Sequence, residues 1–418
     1  MTEWPTEPLR DLGVWSGGGT PSKSRSDFWE DGDVPWLSPK DMGPETLVDT
    51  RDRITKSAVA DSAVRLLGAN AIAVVVRSGI LERTIPVALV PFATTLNQDM
   101  KALECRPGID PRWVAWGLRA SERELLRTAR KAGTTVASIE WPRFLNWRLP
   151  IPDHAEQRRI VDILEDHLSR LKAGNDYLDA AAARASAAVR SSAAAAVHAA
   201  EKSIGTRVVE LGQVARIGSG TTPRRGDPRY WLDGSVPWVT SGELAQGVVT
   251  ATAQHVSQFA LADTALKLWP EGTLLVAMYG EGRTRGTVGE LAIAATTNQA
   301  CAAILLDENS PTSRAWLRLV LEARRDSMRR SSSGGVQPNL NLGFFKAMQV
   351  PWPSAEKMAR LIAAHDDLTK RCEVAVHAIK TAERRVGSLR RSLLTAAFSG
   401  RLTGRESDLD FAEELASA

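Results

Sequence analysis

The chain is written twice. GGGTPSKSRSDFWEDGDVPWLSPKDM, from Gly17 to Met42, returns as GSGTTPRRGDPRYWLDGSVPWVTSGEL from Gly218 to Leu244. Placing Pro21 on Pro223 superposes Trp29 on Trp231, Asp31 on Asp233, Gly32 on Gly234, and Val34-Pro35-Trp36 on Val236-Pro237-Trp238 without a gap. Further on, Ser78-Gly79 matches Tyr279-Gly280, Asn97-Gln98 matches Asn298-Gln299, and Pro111 and Trp116 match Pro311 and Trp316. A period of about 200 residues is too long for a solenoid unit and suits a duplicated domain. At 418 residues the chain also exceeds what one hydrophobic core usually serves.

Each copy ends in a Pro-x-Pro, Pro150 to Pro152 and Pro351 to Pro353, which stops a preceding strand and frees the chain to begin a helix. From Asp153 to Gly205 there is no proline. Val161, Leu164, Leu168, Leu171, Asn175, Leu178, Ala182, Ala185, Val189, Ser192 and Ala196 recur there in steps of three and four, which is a heptad seam. After Pro353 the same rhythm places Met358, His365, Cys372, Ile379, Val386 and Leu393 on one line and Leu361, Leu368, Ala375, Ala382, Leu389 and Ala396 on the other. A short stripe of this kind is usually an amphipathic helix lying on its own domain. A helix from Met358 to Ala396 would span roughly 58 Å at ~1.5 Å per residue, so length favours a pair of spacer helices coiled on each other. The apolar bursts AIAVVV (71–76) and LLVAM (274–278) predict buried strands between Gly-rich turns, and Pro111 and Pro311 each open a helical stretch.

LPIPDHAEQRRIVDILEDHLSRL after the first half, its echo VPWPSAEKMARLIAAHDDL after the second, and RRSLLTAAFSGRL near the C-terminus resemble the conserved helical regions of Type I restriction-modification specificity subunits. NQDMKAL and TTNQACAAI resemble a strand segment of that family's target recognition domains. The likeness covers nearly the whole chain. It implies an α/β (α+β) fold with two target recognition domains, 1–152 and 205–353, joined by antiparallel coiled-coil helices, 153–204 and 354–400, in a pseudo-twofold arrangement, with a tail at 401–418. It implies a non-catalytic protein that binds double-stranded DNA, two adenine-methylating modification subunits and ATP-driven restriction subunits. S-adenosylmethionine, ATP and Mg are then expected on those partners and no cofactor here. Two departures stand out: AEKMARL opens the second helix where the first has AEQRRIV, and Gly174-Asn175 interrupts the first seam.

Reading bases requires side chains that match groove edges, chiefly Arg or Lys to guanine and Asn or Gln to adenine. Loop residues of those types are Lys23, Arg25, Arg77, Ser78 and Arg83 in the first arm, and Arg224, Arg225, Tyr279, Arg283, Arg285 and Gln337 in the second; Thr134 lies in a following glycine-threonine loop. For each, the plainer reading is a solvated surface residue. The basic stretches Arg112 to Lys131 and Arg314 to Arg330 suit either phosphate contact or a solvated helix face. Asn97-Gln98 and Asn298-Gln299 recur in both arms, which favours a shared structural task at least as much as base contact. Glu156, Arg158 and Arg159, just after the first Pro-x-Pro, are the candidates for docking a modification subunit.

Two rival classes are a stand-alone DNA adenine methyltransferase and a coiled-coil scaffold with no DNA role. Ile217-Gly218-Ser219-Gly220 and Asp227-Pro228-Arg229-Tyr230 hint at methyltransferase motifs, but a doubly wound fold needs ~30 residues per unit between such motifs. Gly280 to Gly286 lacks the Gly-Lys-Ser/Thr of a phosphate cradle. The histidines form no ligand cluster, and Cys105, Cys301 and Cys372 are spaced for neither metal nor disulfide framework. Lys and Arg total 53 against 49 Asp and Glu, so bulk charge alone does not point to a polyanion. With no apolar leader and no run of about 18 apolar residues, a cytoplasmic protein without membrane contact is expected.

Overall fold

A computed structural model describes residues 4–131, 136–280, 284–331, 340–402, 408, 410 and 412–414. The chain divides into two compact units, Met1–Leu178 with Thr381–Ala418, and Asp179–Lys380, so that each long helix contributes one half to each unit. Among the described residues, no helix is long and apolar enough to cross a membrane.

In the first unit a four-stranded antiparallel sheet runs in the order Gly13–Gly17, Met100–Cys105, Ala71–Val75, Val87–Val90. All of Ala71–Val75 is buried. Ile72 and Val74 enter one core with the helix Pro111–Ala120, while Ala71, Ala73 and Val75 enter another on the opposite face. Successive strand side chains point to opposite faces, so a sheet covered on both sides reads as a continuous apolar run rather than an alternation. A second, three-stranded sheet places Val34–Leu37 between Asp52–Ile54, antiparallel, and Thr95–Leu96, parallel. Thr6–Pro8 pairs with Arg148–Pro150 just before the Pro-x-Pro ends.

The second unit repeats this plan. Its main sheet runs Ala215–Ser219, Cys301–Leu306, Leu274–Ala277, Val288–Leu291, Val248–Val249, and its small sheet centres Val236–Val239 between Gln254–Val256 and Thr296–Thr297. The fifth strand has only a single bridge, Thr46 to Leu89, as its counterpart in the first arm. Asp31 and Asp233 both adopt left-handed backbone, at φ 55° and 52°. The glycines that follow them are required by close approach: a side chain on Gly32 or Gly234 would meet the neighbouring strand's backbone at 2.8 or 2.7 Å.

The long helices are His154–Glu201 and Ala355–Phe398. Their 48 and 44 residues span about 72 and 66 Å at ~1.5 Å per residue, longer than the seam alone predicts. Both start on a capping side chain: Asp153 accepts the Glu156 N–H at 2.9 Å, and Ser354 the Lys357 N–H at 3.4 Å. Every seam position of the first helix is buried or half-buried. The helix runs unbroken through Gly174-Asn175, where the glycine faces open space. In the second helix the seam departs once, because Ala375 is exposed and Val376 turns inward. In the first unit Leu164 and Leu168 share a core with Leu389 and Leu393; in the second, Ala193, Val197 and Ala200 share one with Met358 and Leu361. The N-terminal half of each helix thus packs on the C-terminal half of the other. His365 is a packed seam residue, its Nδ1 3.2 Å from Ser192 Oγ.

One alignment needs correction. Trp316 Nε1–H donates to the Pro351 carbonyl at 2.8 Å, and its counterpart is Trp113, donating to Pro150 at 2.9 Å, not Trp116. The second helix is longer, 13 residues against 10, which moves the tryptophan about one turn along it. Trp316 is fully buried. Trp316→Ala is expected to cost the second unit about 3–5 kcal/mol by cavity formation. Denaturant melts should show this as an earlier transition, and an unshifted midpoint would show that the tryptophan is not central to that core.

Candidate nucleic-acid interface

In each arm two loops carry most of the predicted DNA-contacting residues. The first follows the strand Gly13–Gly17 or Ala215–Ser219 and carries Lys23 and Arg25, or Arg224 and Arg225. The second joins the strands Ala71–Val75 and Val87–Val90, or Leu274–Ala277 and Val288–Leu291. It carries Arg77, Ser78 and Arg83, or Tyr279 and Arg285. Thr134, Arg283 and Gln337 lie outside the described residues.

The first loop is framed by two tryptophans in the same geometry in both arms. Trp29 meets Trp36 edge-on with centroids 5.1 Å apart, and Trp231 meets Trp238 at 5.1 Å. Their indole N–H groups donate to loop carbonyls at matching places: Trp29 to Ser22 and Trp231 to Arg224, each at 3.2 Å, and Trp36 to Gly19 and Trp238 to Thr221, each at 3.0 Å. Asn97 and Asn298 perform a shared structural task, each accepting from the backbone N–H two residues on. Gln98 and Gln299 bond Thr20 and Thr222. Gly18 and Gly220 permit the close backbone approach these loops need, since a side chain would lie within 2.0 and 1.7 Å of the Asn97 and Thr297 carbonyl oxygens. Ile217 to Gly220 is therefore the end of a strand and the start of this loop rather than a cofactor cradle. Asp227 caps the one-turn helix Pro228–Trp231 by accepting the Arg229 N–H, which accounts for Asp-Pro-Arg-Tyr.

In the first arm the two loops meet. Lys23, Arg77 and Ser78 line a cleft of about 970 Å³ together with Trp29, Trp36 and Gln98. Lys40 and Asp52 also line it, and neither stood out in the sequence. Arg25 is not part of the cleft lining. Its guanidinium closes on Asp27 at 2.8 and 2.5 Å over the Phe28 ring and holds that carboxyl below its usual range. The second arm has the same staple with charges exchanged, Arg229 on Asp227 at 3.0 and 2.7 Å. Arg83 is exposed just after the turn Gly79–Glu82, and Ser78 caps that turn. In the second arm Arg224 is exposed, Arg225 stacks over Trp231 and Trp238 at 4.1 and 4.8 Å, Tyr279 is 37% exposed, and Arg285 is half-buried.

Several arginines of the basic stretches are engaged within the protein. Arg112 bridges Asp110, Asp162 and Glu165 at 3.2, 2.8 and 3.1 Å. Arg314 pairs with Glu290 at 2.6 Å, Arg318 with Glu322 at 3.0 Å, and Arg324 with Glu201 at 3.5 Å. Arg119 donates to the Glu45 and Val87 carbonyls, and burial pulls it down to about 10. Arg325 donates to Thr287 at 2.8 Å and is likewise lowered by burial. Cys105 and Cys301 are free thiols pushed up to about 12 by burial, so neither supplies a thiolate at neutral pH. Among the described residues no group of His, Cys, Asp and Glu could hold a metal.

At the start of the first long helix Glu156 and Arg159 pair at 2.7 and 2.8 Å, and Arg158 is exposed. Gln157 between them is fully buried; it donates to the Gly108 and Pro152 carbonyls and accepts the Asp110 N–H. Its role is to bind helix to arm.

The family model described as "Type I restriction modification DNA specificity domain" matches residues 1–176 and 204–374, one match for each repeat. The chain belongs to that family. It is 46% identical over 164 residues to the Type I restriction enzyme EcoR124I/EcoR124II specificity subunit of Escherichia coli, a match covering 39% of this chain and 40% of that one. It is 23% identical over 295 residues to the MjaIX specificity subunit of Methanocaldococcus jannaschii, covering 67% of each. Among solved structures, a chain from work on complex assembly and conformational transition of the type I R-M system has a TM-score of 0.75 at 16% identity, covering 96% of this chain and 99% of that one. The HsdS subunit from Thermoanaerobacter tengcongensis has a TM-score of 0.52 at 16% identity, covering 96% and 98%. At such identity these structures speak for the specificity-subunit fold: mixed α/β arms on two long helices packed together.

Proposed function

We propose that this specificity-family protein is a non-catalytic, two-armed reader of double-stranded DNA. Each arm reads one half-site, and bound modification subunits methylate where the chain directs them. The observation that carries this is the duplicated arm: one scaffold, matched bond for bond at its tryptophans, asparagines and glycines, presents two loop sets that differ in chemistry. S-adenosylmethionine belongs to the modification subunits, and ATP and Mg to restriction subunits that join the same intracellular complex. Glu156, Arg158 and Arg159 dock one modification subunit, and the corresponding start of the second long helix docks another. Lys23, Arg77, Ser78, Arg83, Arg224, Tyr279, Arg283, Arg285, Gln337 and Thr134 are candidate DNA contacts, and the globular and helical boundaries follow the two Pro-x-Pro segments.

The test is reconstitution. The chain alone should bind DNA without transferring a methyl group from S-adenosylmethionine, and transfer should begin when modification subunits are added. Native mass spectrometry should find two of them per chain. Methyl transfer by the chain alone would reassign it as a methyltransferase, and a complex without sequence preference would leave it a scaffold.

A further inference from the structure

We infer that Lys40 and Asp52 are specificity-determining residues of the first arm, reading base edges in the cleft that they share with Lys23 and Arg77. Arg225, which stands in the second arm where Lys23 stands in the first, is a scaffold residue and not a reader. This rests on the proposed reading of DNA by each arm.

The two arms share a frame. The paired tryptophans and the Asn-Gln are common to both, so they build the frame and carry no information that distinguishes two half-sites. The polar groups around that frame differ: Lys23 stands where the second arm has Arg225, Lys40 where it has Gly242, and Asp52 where it has Gln254. Asp52 and Gln254 occupy the same register, each opposite the second tryptophan of its pair. In the second arm Arg225 donates to Gln254 Oε1 at 2.6 Å while lying over both indoles. The protein's own guanidinium and amide satisfy each other there. In the first arm Lys23, Lys40 and Asp52 form no ion pair among the described residues, although all three are exposed and line the cleft.

The composition of the cleft selects its ligand. Lys23, Lys40 and Arg77 share the lining with Glu30, Asp52 and Asp99, three cations to three acids, with Arg77 4.0 Å from Asp99. A groove for phosphates would be uniformly basic, because each acid repels the backbone. Base edges present donors as well as acceptors: a carboxylate accepts from cytosine N4, and an ammonium donates to guanine O6 and N7.

The backbone that carries Lys40 and Asp52 is also held in place. Asp41 accepts the Ser38 N–H at 2.8 Å and the Arg51 N–H at 2.9 Å, tying the two ends of the segment between them. Glu243 does the same in the second arm, from Thr240 at 2.7 Å and Ala253 at 2.9 Å. A reader needs such support, since the backbone sets where its side chains can reach.

The experiment uses the complex assembled with modification subunits and a panel of duplexes in which each base pair of both half-sites is varied, at two salt concentrations. Asp52→Asn and Lys40→Ala should each cut discrimination at a base pair of the first half-site by about five- to a hundred-fold, with the second half-site unchanged. Arg225→Met should lower the melting temperature and leave discrimination in the second half-site as it was. If Lys40→Ala weakens all duplexes alike and lowers the salt slope by about one, Lys40 holds phosphate and its assignment falls. Well-folded Asp52→Asn and Lys40→Ala complexes that discriminate like the wild type overturn the inference while the proposed function stands. A wild-type complex that discriminates nowhere overturns both.

Discussion

Replacing residues 1–150 with the corresponding arm of another family member should rewrite one half of the methylated sequence and leave the other half, and the number of unspecified bases between them, as they were. The exchange is clean because the segment carries both strands of its closing ribbon, Thr6–Pro8 and Arg148–Pro150, and ends at the Pro-x-Pro. Two kinds of contact cross the junction: Trp113, Phe144 and Leu149 share a core with Ile160, Leu164 and Leu393 of the long helices, and Arg112 pairs with Asp162 and Glu165 at 2.8 and 3.1 Å. A donor arm therefore has to keep that contact, and the buried Gln157 needs its carbonyl partners. The expected effect is complete replacement of a half-site. Simultaneous change in both halves would mean that the arms do not read independently.

A second large effect follows if the long helices are the ruler between the half-sites. Deleting one heptad from each, Leu171 to Tyr177 and Cys372 to Ala378, removes about 10 Å at ~1.5 Å per residue and should shorten the gap by about three base pairs. A whole heptad is the right unit because it returns the seam to the same face, whereas any other length rotates apolar residues into water. Both deleted segments lie in the middle of their helices, where the seam is half-buried, and spare the buried seam positions Leu164, Leu168 and Leu393. Assembly with modification subunits is measured first, and methylated-base mapping then gives the gap. An unchanged gap in an assembled complex would remove the helices from this role.

The architecture was legible because it is repeated and periodic. Two occurrences of Val-Pro-Trp at the same offset fixed the duplication, and the three-four spacing after each Pro-x-Pro marked helices that are present at His154–Glu201 and Ala355–Phe398. Periodicity is less exact at single positions. Ala375 and Val376 stand about 100° apart round the helix, on the two flanks of the seam, and the drift between 3.5 and 3.6 residues per turn turns the valine's flank inward. Trp116 and Trp316 follow a proline at the same distance, yet the hydrogen bond to the Pro-x-Pro belongs to Trp113 in the first arm.

Charge was harder to read than hydrophobicity. The arginines of 112–130 and 314–330 look available in sequence because the acids that neutralise them, Glu165, Glu201 and Glu290 among them, are remote along the chain or hidden in a strand. Arg25 and Arg225 likewise looked free, but one closes on Asp27 and the other on Gln254 and two indoles. Lys40 and Asp52 are hard to single out in the sequence for the opposite reason, since only the folded cleft brings them beside Lys23 and Arg77. A comparison of the two copies held the signal: aligned positions that keep the frame and change the polar group.

On the proposed function, this chain supplies sequence choice and nothing else to a methylating complex. Methylome sequencing of cells that contain the modification subunits, with and without the chain, tests it most directly. The predicted result is methylated adenine at one split sequence, two short halves around a fixed gap, present only when the chain is expressed. The same methylated sequence appearing without the chain, or an unbroken sequence with it, would contradict the account.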